Sequence, residues 1–365
     1  MPRNKVIEKL ILLPMSKIYG MVTTLRNCFF NWGIFKQRTF DVPIVVVGNI
    51  AVGGAGKTPH VEYIIEALRD TYRIGVLSRG YKRNTKGFIL ASQRSTPLDI
   101  GDEPYQIYQK YGRDVTVAVC EDRCKGIEEI LKVNPEINLM LLDDAFQHRY
   151  VKPSVAIVLT EFNRPIFFDK MLPLGRLRES TRAIYRADMV LVTKCPERIK
   201  PVEYRIFKNH LSLYPYQKLY FSRFHYNTLQ PVFPDNARMV PYLEYLSDQD
   251  RLLIVSGIAN PKPFVRYIKQ FRPLVKIQVF PDHHNFSRKD LDLISTRFEN
   301  IKARNKYIIT TEKDAVRLAN NPYFPPALRP YIFYLPIKVV FDDDTGDSFT
   351  ADLKKLIAQS KISNR

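Results

Sequence analysis

Val45-Val46-Val47-Gly48-Asn49-Ile50-Ala51-Val52-Gly53-Gly54-Ala55-Gly56-Lys57-Thr58 runs from a β-branched strand through a glycine-rich loop to a Lys-Thr pair. Glycines let consecutive backbone N–H groups turn toward an anion, Lys57 can reach terminal phosphates, and the Thr58 hydroxyl is placed to bind Mg²⁺. Pro59 suits the first turn of a following helix, where its missing N–H is not needed. The phosphate-contacting set read from this loop is Gly53, Gly54, Ala55, Gly56, Lys57 and Thr58. The first glycine of G-x-x-x-x-G-K-[ST] falls on Ala51, so the match is to the second half of that motif. No third glycine follows at G-x-G-x-x-G spacing, which excludes a dinucleotide site here.

Short β-branched runs separated by helix-length segments surround the loop: Val42–Val47, Ile74–Leu77, Val115–Val119, Leu139–Leu142, Val155–Leu159 and Met189–Val192. Strands buried on both faces read this way, so the expected fold class is α/β, with a P-loop NTPase-like, mostly parallel sheet. A second set, Leu252–Val255, Val275–Phe280, Tyr307–Thr310 and Phe333–Leu335, predicts a smaller α/β domain. Between the two sets, Pro201, Pro215, Pro231, Pro234 and Pro241 mark a linker with some extended structure. The 365 residues fit two domains. The expected organisation is an amphipathic, membrane-associated helix over 1–40, a P-loop domain over 41–200, a linker over 201–246 and the smaller domain over 247–365, with a short fraying helix after Lys355.

Leu139-Met140-Leu141-Leu142-Asp143-Asp144 is a buried strand ending in two carboxylates, the pattern of a Mg²⁺-organising acid beside a phosphate loop. Loop and acids together indicate an Mg-nucleotide enzyme. The 56 Lys+Arg against 37 Asp+Glu give a formal net charge of +19, which implies an anionic partner: nucleic acid, a phosphorylated small molecule or an acidic membrane. Part of that excess lies in residues 1–38, where Arg3, Lys5, Lys9, Lys17, Arg26, Lys36 and Arg38 stand against a single Glu8. Apolar Ile7, Leu10, Ile11, Ile18, Met21, Val22, Leu25 and Phe29 recur there with a helical period, predicting an amphipathic helix bent at Pro14. Such a helix either packs on the domain behind it or lies in the interface of an anionic membrane. Its apolar run is far short of the roughly 20 residues of a membrane span. Cys28, Cys120, Cys124 and Cys195 do not make a disulfide framework in a chain this long and fit a reducing compartment; Cys120 and Cys124 are expected to end a strand and begin a helix.

Further polar clusters follow the strands: Ser78-Arg79-Gly80-Tyr81, Gly101-Asp102-Glu103-Pro104, Asp122-Arg123, Asp143-Asp144-Ala145-Phe146-Gln147-His148, Leu172-Pro173-Leu174-Gly175-Arg176-Leu177-Arg178-Glu179 and Phe280-Pro281-Asp282-His283-His284. Loops at the C-terminal ends of parallel strands are where open α/β sheets bind ligands. With these motifs in this order, the chain resembles the tetraacyldisaccharide 4'-kinase family over nearly its whole length. The resemblance implies ATP, Mg²⁺ and transfer of the γ-phosphate to the 4'-hydroxyl of tetraacyldisaccharide 1-phosphate in lipid A biosynthesis, at the cytoplasmic face of the bacterial inner membrane. It places a base on Asp102, paired with a histidine of the smaller domain: His283 by its place after Asp282, with His284 the competing choice. A histidine arriving from a second domain would couple chemistry to domain closure. By the same resemblance Lys57 and Thr58 hold phosphate and metal, Asp143 and Asp144 organise the metal, and Arg123 and Arg178 neutralise charge on the transferred group. Tyr81, Gln147 and Glu179 match further positions near the site. Arg164, Lys170, Arg176, Arg178, Arg182 and Arg186, against Asp169 and Glu179, suit the acceptor's own phosphate or anionic headgroups.

The sequence departs from the family pattern at Ala51 and Ala55, which lack the hydroxyl often found in this loop, and at Ala145, where glycine often follows the paired aspartates. Two other classes compete. A GTPase-like switch would read guanine near Thr193-Lys194-Cys195-Pro196, but the Asn and Asp of Asn-Lys-x-Asp are missing. A nucleic-acid-binding ATPase rests on charge alone, with no recognised module, and nucleic acid is not the expected partner.

Overall fold

All six residues of β1 (Ile44–Asn49) are buried, and its side chains divide between two cores, Ile44 and Val46 on one face, Val45 and Val47 on the other. A strand covered on both faces has no polar side to show, which is why it reads as an unbroken apolar run. The computed structural model describes residues 8–237, 240–271, 274–341 and 345–363. Arg3, Lys5 and Ile7 of the amphipathic start lie outside them.

The chain divides into two units: Met1–Arg94, Ile107–Phe224 and Val339–Arg365 form the larger, Ser95–Gln106 and His225–Lys338 the smaller. In chain order the strands after β1 are β2 (Ile74–Ser78), β3 (Ile89–Leu90), β4 (Thr116–Val119), β5 (Leu139–Asp143), β6 (Val155–Glu161), β7 (Met189–Thr193) and β8 (Lys218–Tyr226). With a last strand, Ile337–Phe341, they form one sheet in the order last strand, β8, β7, β6, β1, β5, β2, β4, β3. β1 runs parallel between β5 and β6, and Val47 lies beside Asp143, so the glycine loop and the paired acids leave the sheet on neighbouring strands. The helices that begin the chain are α1 (Leu13–Asn31), α2 (Lys57–Leu68), α3 (Asp102–Tyr111), α4 (Arg123–Val133) and α5 (Pro201–Leu211). α2 buries Val61, Ile64, Ile65 and Leu68 on one sheet face, where Phe349, Leu353 and Ile357 of a C-terminal helix, Thr345–Ser363, join it. α4 and α5 cover the opposite face through Ile127, Ile130, Phe207 and Leu211.

The smaller unit holds β9 (Gln230–Pro231), β10 (Arg251–Ser256), β11 (Val275–Val279), β12 (Lys306–Thr311) and β13 (Ile332–Leu335), in the order β11, β10, β12, β13, β9. β9 alone of these runs antiparallel to its neighbour. α6 (Lys262–Phe271) packs Phe264 and Ile268 on one face, while α7 (Arg288–Glu299) and α8 (Glu312–Ala319) pack Leu291, Ile294 and Leu318 on the other.

These boundaries differ from those expected. Residues 201–224, expected as linker, supply α5 and most of β8 to the larger unit, and the C-terminal helix also belongs there. Residues 95–106, expected in the P-loop domain, belong to the smaller unit. Pro14 sits in the first turn of α1, directly after a π-helical turn, Glu8–Leu12, at a position where proline leaves no α-helical hydrogen bond of α1 broken.

The packing of α1 inverts the usual amphipathic order. Ser16 and Phe30 are buried, Ser16 donates to the Met171 carbonyl at 2.8 Å, and the missing side chain of Gly20 leaves Met171 in contact. Ile11, Met15, Ile18, Val22 and Leu25, three or four residues apart, are instead exposed, with Met21, Trp32 and Ile34 beside them. Over the first half of α1, Ser16 and Gly20 thus face the protein and the large apolar residues face outward, while near its end Phe30 is buried. Among the described residues no helix is long and apolar enough to cross a membrane.

Candidate active site

The glycine loop is pinned at both ends. At its start, the Val52 N–H donates to the Arg176 carbonyl at 2.7 Å, and buried Asn49 Nδ2 donates to the Ala51 carbonyl at 2.6 Å. At its end, Gly56 is the left-handed N-cap of α2 (φ 84°), and a Cβ there would sit 2.4 Å from Phe224 Cζ, so only glycine fits. Lys57 Nζ lies 3.2 Å from Asn49 Oδ1 and 3.4 Å from Asp144 Oδ1. Ala55 is buried among the apolar residues of the core that α2 covers. Three carbonyls of the loop accept hydrogen bonds from side chains outside it. Lys194 Nζ donates to Gly54, Thr193 Oγ1 to Ala55 at 2.9 Å, and His60 Nδ1 to Gly56 at 2.7 Å. Burial pulls the pKa of His60 down to about 4 against the bond to Gly56, so the imidazole is neutral near pH 7.

Asp143 ends β5 in the buried interior, and Asp144 follows with a positive φ of 48°. The positive φ falls on Asp144, one residue before the position where the family often has glycine. Arg178 Nη1 approaches Asp144 Oδ1 at 3.5 Å and Gln147 Oε1 at 3.4 Å, while Gln147 Nε2 donates to the Asn49 carbonyl at 2.8 Å. Arg178, Gln147 and Asp144 therefore form one polar group with the start of the loop. Thr58, Asp143 and Asp144 offer only oxygen, the donor chemistry that suits a hard cation such as Mg²⁺.

Three further sequence-derived residues make the following contacts. Arg123 is buried and donates through Nη1 to the carbonyls of Cys120 (2.9 Å) and Glu121 (3.1 Å); burial lowers its pKa against the opposing charges of Asp144 and Asp143. Glu179 is buried and accepts from Asn27 of α1 at 2.9 Å and from Arg186 at 2.6 Å, which makes it an anchor for α1. Tyr81 is exposed, with the Lys82 ammonium 5.9 Å from its ring centre.

The smaller unit contains a second polar cluster. Asp102 opens α3, and its Oδ2 lies 3.2 Å from His283 Nδ1 and 3.2 Å from Arg317 Nε. Lys313 Nζ lies 2.9 Å from His283 Nε2 and 2.9 Å from Glu103 Oε1. Nε2 thus faces an ammonium, which can only donate, while Nδ1 faces both the Asp102 carboxylate, an acceptor, and Arg317 Nη2 at 3.1 Å, a donor. Burial works against ionisation of Asp102. The hydrogen bonds from His283 and Arg317, helped by the charges of Arg317 and Lys313, outweigh it and hold this carboxyl far below the usual carboxylate range. Arg317 is fixed in turn by Asp314, 3.2 Å from its Nη1 and fully buried at the start of α8 beneath the Thr311 cap.

His284 makes a different set of contacts: its Nε2 pairs with Asp290 at 3.0 Å, and its ring stacks on Phe280. Between the two histidines left open by the sequence, His283 is the one beside Asp102. The pair forms inside the smaller unit, so the expected meeting of a base from one domain with a histidine from the other does not describe it. Lys313 and Arg317 were missed by sequence reading. Their only signal is an i, i+4 spacing of two cations on one helix following a Thr cap.

A mostly parallel sheet whose first strand runs through a glycine loop into a Lys-Thr helix start defines a P-loop nucleotide-binding protein. The model of the family described as tetraacyldisaccharide-1-P 4'-kinase matches residues 8–358, and the chain belongs to that family. It is 48% identical over 345 residues to the tetraacyldisaccharide 4'-kinase of Bacteroides thetaiotaomicron, covering 93% of this chain and 90% of that one. With the enzyme of the same name from Parabacteroides distasonis it shares 45% identity over 356 residues, 97% of this chain and 96% of the other. Among solved structures it resembles LpxK from Aquifex aeolicus in complex with ATP, with a TM-score of 0.72 and 27% identity over 95% of this chain and 98% of that one.

Proposed function

We propose that this chain transfers the γ-phosphoryl group of ATP to the 4'-hydroxyl of tetraacyldisaccharide 1-phosphate. The family match over residues 8–358 carries this reading. The acceptor oxygen forms a bond to the γ-phosphorus, the bond from that phosphorus to the bridging oxygen breaks, and ADP leaves. Gly53, Gly54, Ala55 and Gly56 cradle the phosphates, and Lys57 offsets their charge. Mg²⁺ held by Thr58, Asp143 and Asp144 would supply charge neutralisation of the phosphate oxygens. Arg178, held by Asp144 and Gln147, faces the transferred group, while Arg123 contributes positive charge from behind the carbonyls it binds. Asp102 orients the acceptor hydroxyl and takes its proton, with His283, Lys313 and Arg317 holding the carboxylate in place. Purified protein given labelled ATP, Mg²⁺ and the tetraacyl disaccharide 1-phosphate should move label to the lipid; absence of transfer would overturn the reading.

Arg317→Met gives a sharper check on Asp102. Removing a bound guanidinium raises the carboxyl pKa, by about one to three units for an adjacent opposite charge. The active form is the carboxylate, so activity should be lost at a higher pH on the acid side. A pH profile of kcat/KM whose acid limb does not move would refute the assignment.

The same proposal places the enzyme at the cytoplasmic face of the inner membrane, on an anionic surface. The outward apolar stripe of α1 supports this, because contiguous exposed apolar residues beside cationic ones suit a lipid interface. Ile18→Glu with Met21→Glu should weaken binding to anionic vesicles by at least about tenfold, each apolar side chain contributing on the order of 1.5 kcal/mol or more when buried. ATP binding should be retained. Cosedimentation equal to that of the unaltered protein would remove the stripe from membrane docking.

A further inference from the structure

We propose that His60 and Thr193 are positioning residues that aim the backbone amides of Lys57 and Gly56 at the phosphates of ATP; this rests on the phosphate-loop reading above. In a trans peptide the carbonyl of one residue and the N–H of the next point in opposite directions. Fixing the Gly56 carbonyl through His60 Nδ1 therefore turns the Lys57 N–H to the other side of the chain, and fixing the Ala55 carbonyl through Thr193 Oγ1 does the same for Gly56. Both clamps are buried and tied to the sheet. Thr193 is the last residue of β7 and fully buried, and its contact to Ala55 is shorter than its 3.4 Å contact to the Thr160 carbonyl. His60 is also buried, and its tautomer is set by the Gly56 carbonyl. The Gly56 carbonyl requires a proton on Nδ1, which leaves Nε2 to accept from Ser222 Oγ of β8 at 2.8 Å. Lys194 extends the series by holding the Gly54 carbonyl while paired with Glu161 at 2.8 Å. Ala51 and Ala55 have no hydroxyl with which the loop could brace itself. The bracing comes instead from β7, β8 and α2.

The test is steady-state kinetics with ATP and lipid varied separately, on Thr193→Val, His60→Leu and His60→Asn, with Lys57→Met as reference. Asparagine can place its amide N–H where Nδ1 stood. Thr193→Val and His60→Leu should each raise the KM for ATP about tenfold, the effect of one buried hydrogen bond, with the KM for lipid unchanged. His60→Asn should return most of that loss. A role confined to folding would lower the active fraction at unchanged KM, and that result would overturn the proposal, as would a KM for ATP unchanged in Thr193→Val and His60→Leu while Lys57→Met is impaired. If Lys57→Met is itself unimpaired, the phosphate-loop reading fails and takes this inference with it.

Discussion

Asp102→Asn should lower kcat for lipid phosphorylation by about 10²- to 10⁴-fold, the usual contribution of a positioned proton acceptor, with ATP affinity within about twofold of the unaltered enzyme. Asparagine keeps the size of the side chain and an oxygen to accept from Arg317, so the change isolates charge and proton acceptance from packing. A carboxyl held as low as Asp102 is a weak base, which at first sight argues against the role. Phosphoryl transfer passes through a loose transition state in which the attacking hydroxyl gives up its proton late, so fixed orientation matters more than basicity. Arg317, His283 and Lys313 supply that fixation and keep the group ionised across the physiological range. The linkage has a definite sign: with the folded pKa depressed, the cluster stabilises the fold fully above about pH 4 and loses that contribution as pH falls further. Label transfer and ATP binding measured on the same preparation separate the outcomes. Transfer within about threefold of the unaltered enzyme would remove Asp102 from the chemistry, since that lies well below the range for a proton acceptor.

Strands buried on both faces were legible because β-branched runs such as Val155–Leu159 have no polar side to mask them. β8 was missed for the opposite reason: Lys218–Tyr226 mixes exposed and buried residues and stands among prolines, so its period is diluted. The grouping of residues 95–106 with the smaller unit is a property of contacts far along the chain, and no local composition marks it. The candidate site divides similarly. Lys57, Thr58, Asp143 and Asp144 lie in contiguous motifs whose spacing is dictated by the phosphate and metal they suit. Arg317 reaches Asp102 across 215 residues, and on α8 it reads as an ordinary solvated helix charge. His60 was equally silent, one histidine on a buried helix face, until Gly56 and Ser222 appeared on either side of its ring. Even α1 was legible in period but not in orientation, because nothing in the pattern says that Ser16 and Gly20, and not Ile18 and Val22, meet the protein.

Lys57→Met should lower kcat/KM for ATP by about 10²- to 10³-fold, the loss typical of removing one fixed donor from developing charge. Methionine preserves the length and the apolar stem, so the loop keeps its packing while the ammonium is gone. That ammonium lies between Asn49 Oδ1 and Asp144 Oδ1, where it offsets the charge of an acid proposed for the metal. Substitution therefore removes attraction for phosphate and leaves Asp144 less compensated; Arg178 at 3.5 Å is a partial replacement. Arginine is not a safe conservative variant, since its planar fork cannot reproduce a compact ammonium between two oxygens. The comparison with Asp102→Asn is the informative one. Loss of Lys57 should depress the reaction with any acceptor, including slow hydrolysis by water, whereas loss of Asp102 should depress transfer to the lipid hydroxyl alone. ATP hydrolysis without lipid, followed as phosphate release on both variants, reads that difference directly. Equal hydrolysis by Lys57→Met and the unaltered enzyme would mean that Lys57 does not act on the γ-phosphate.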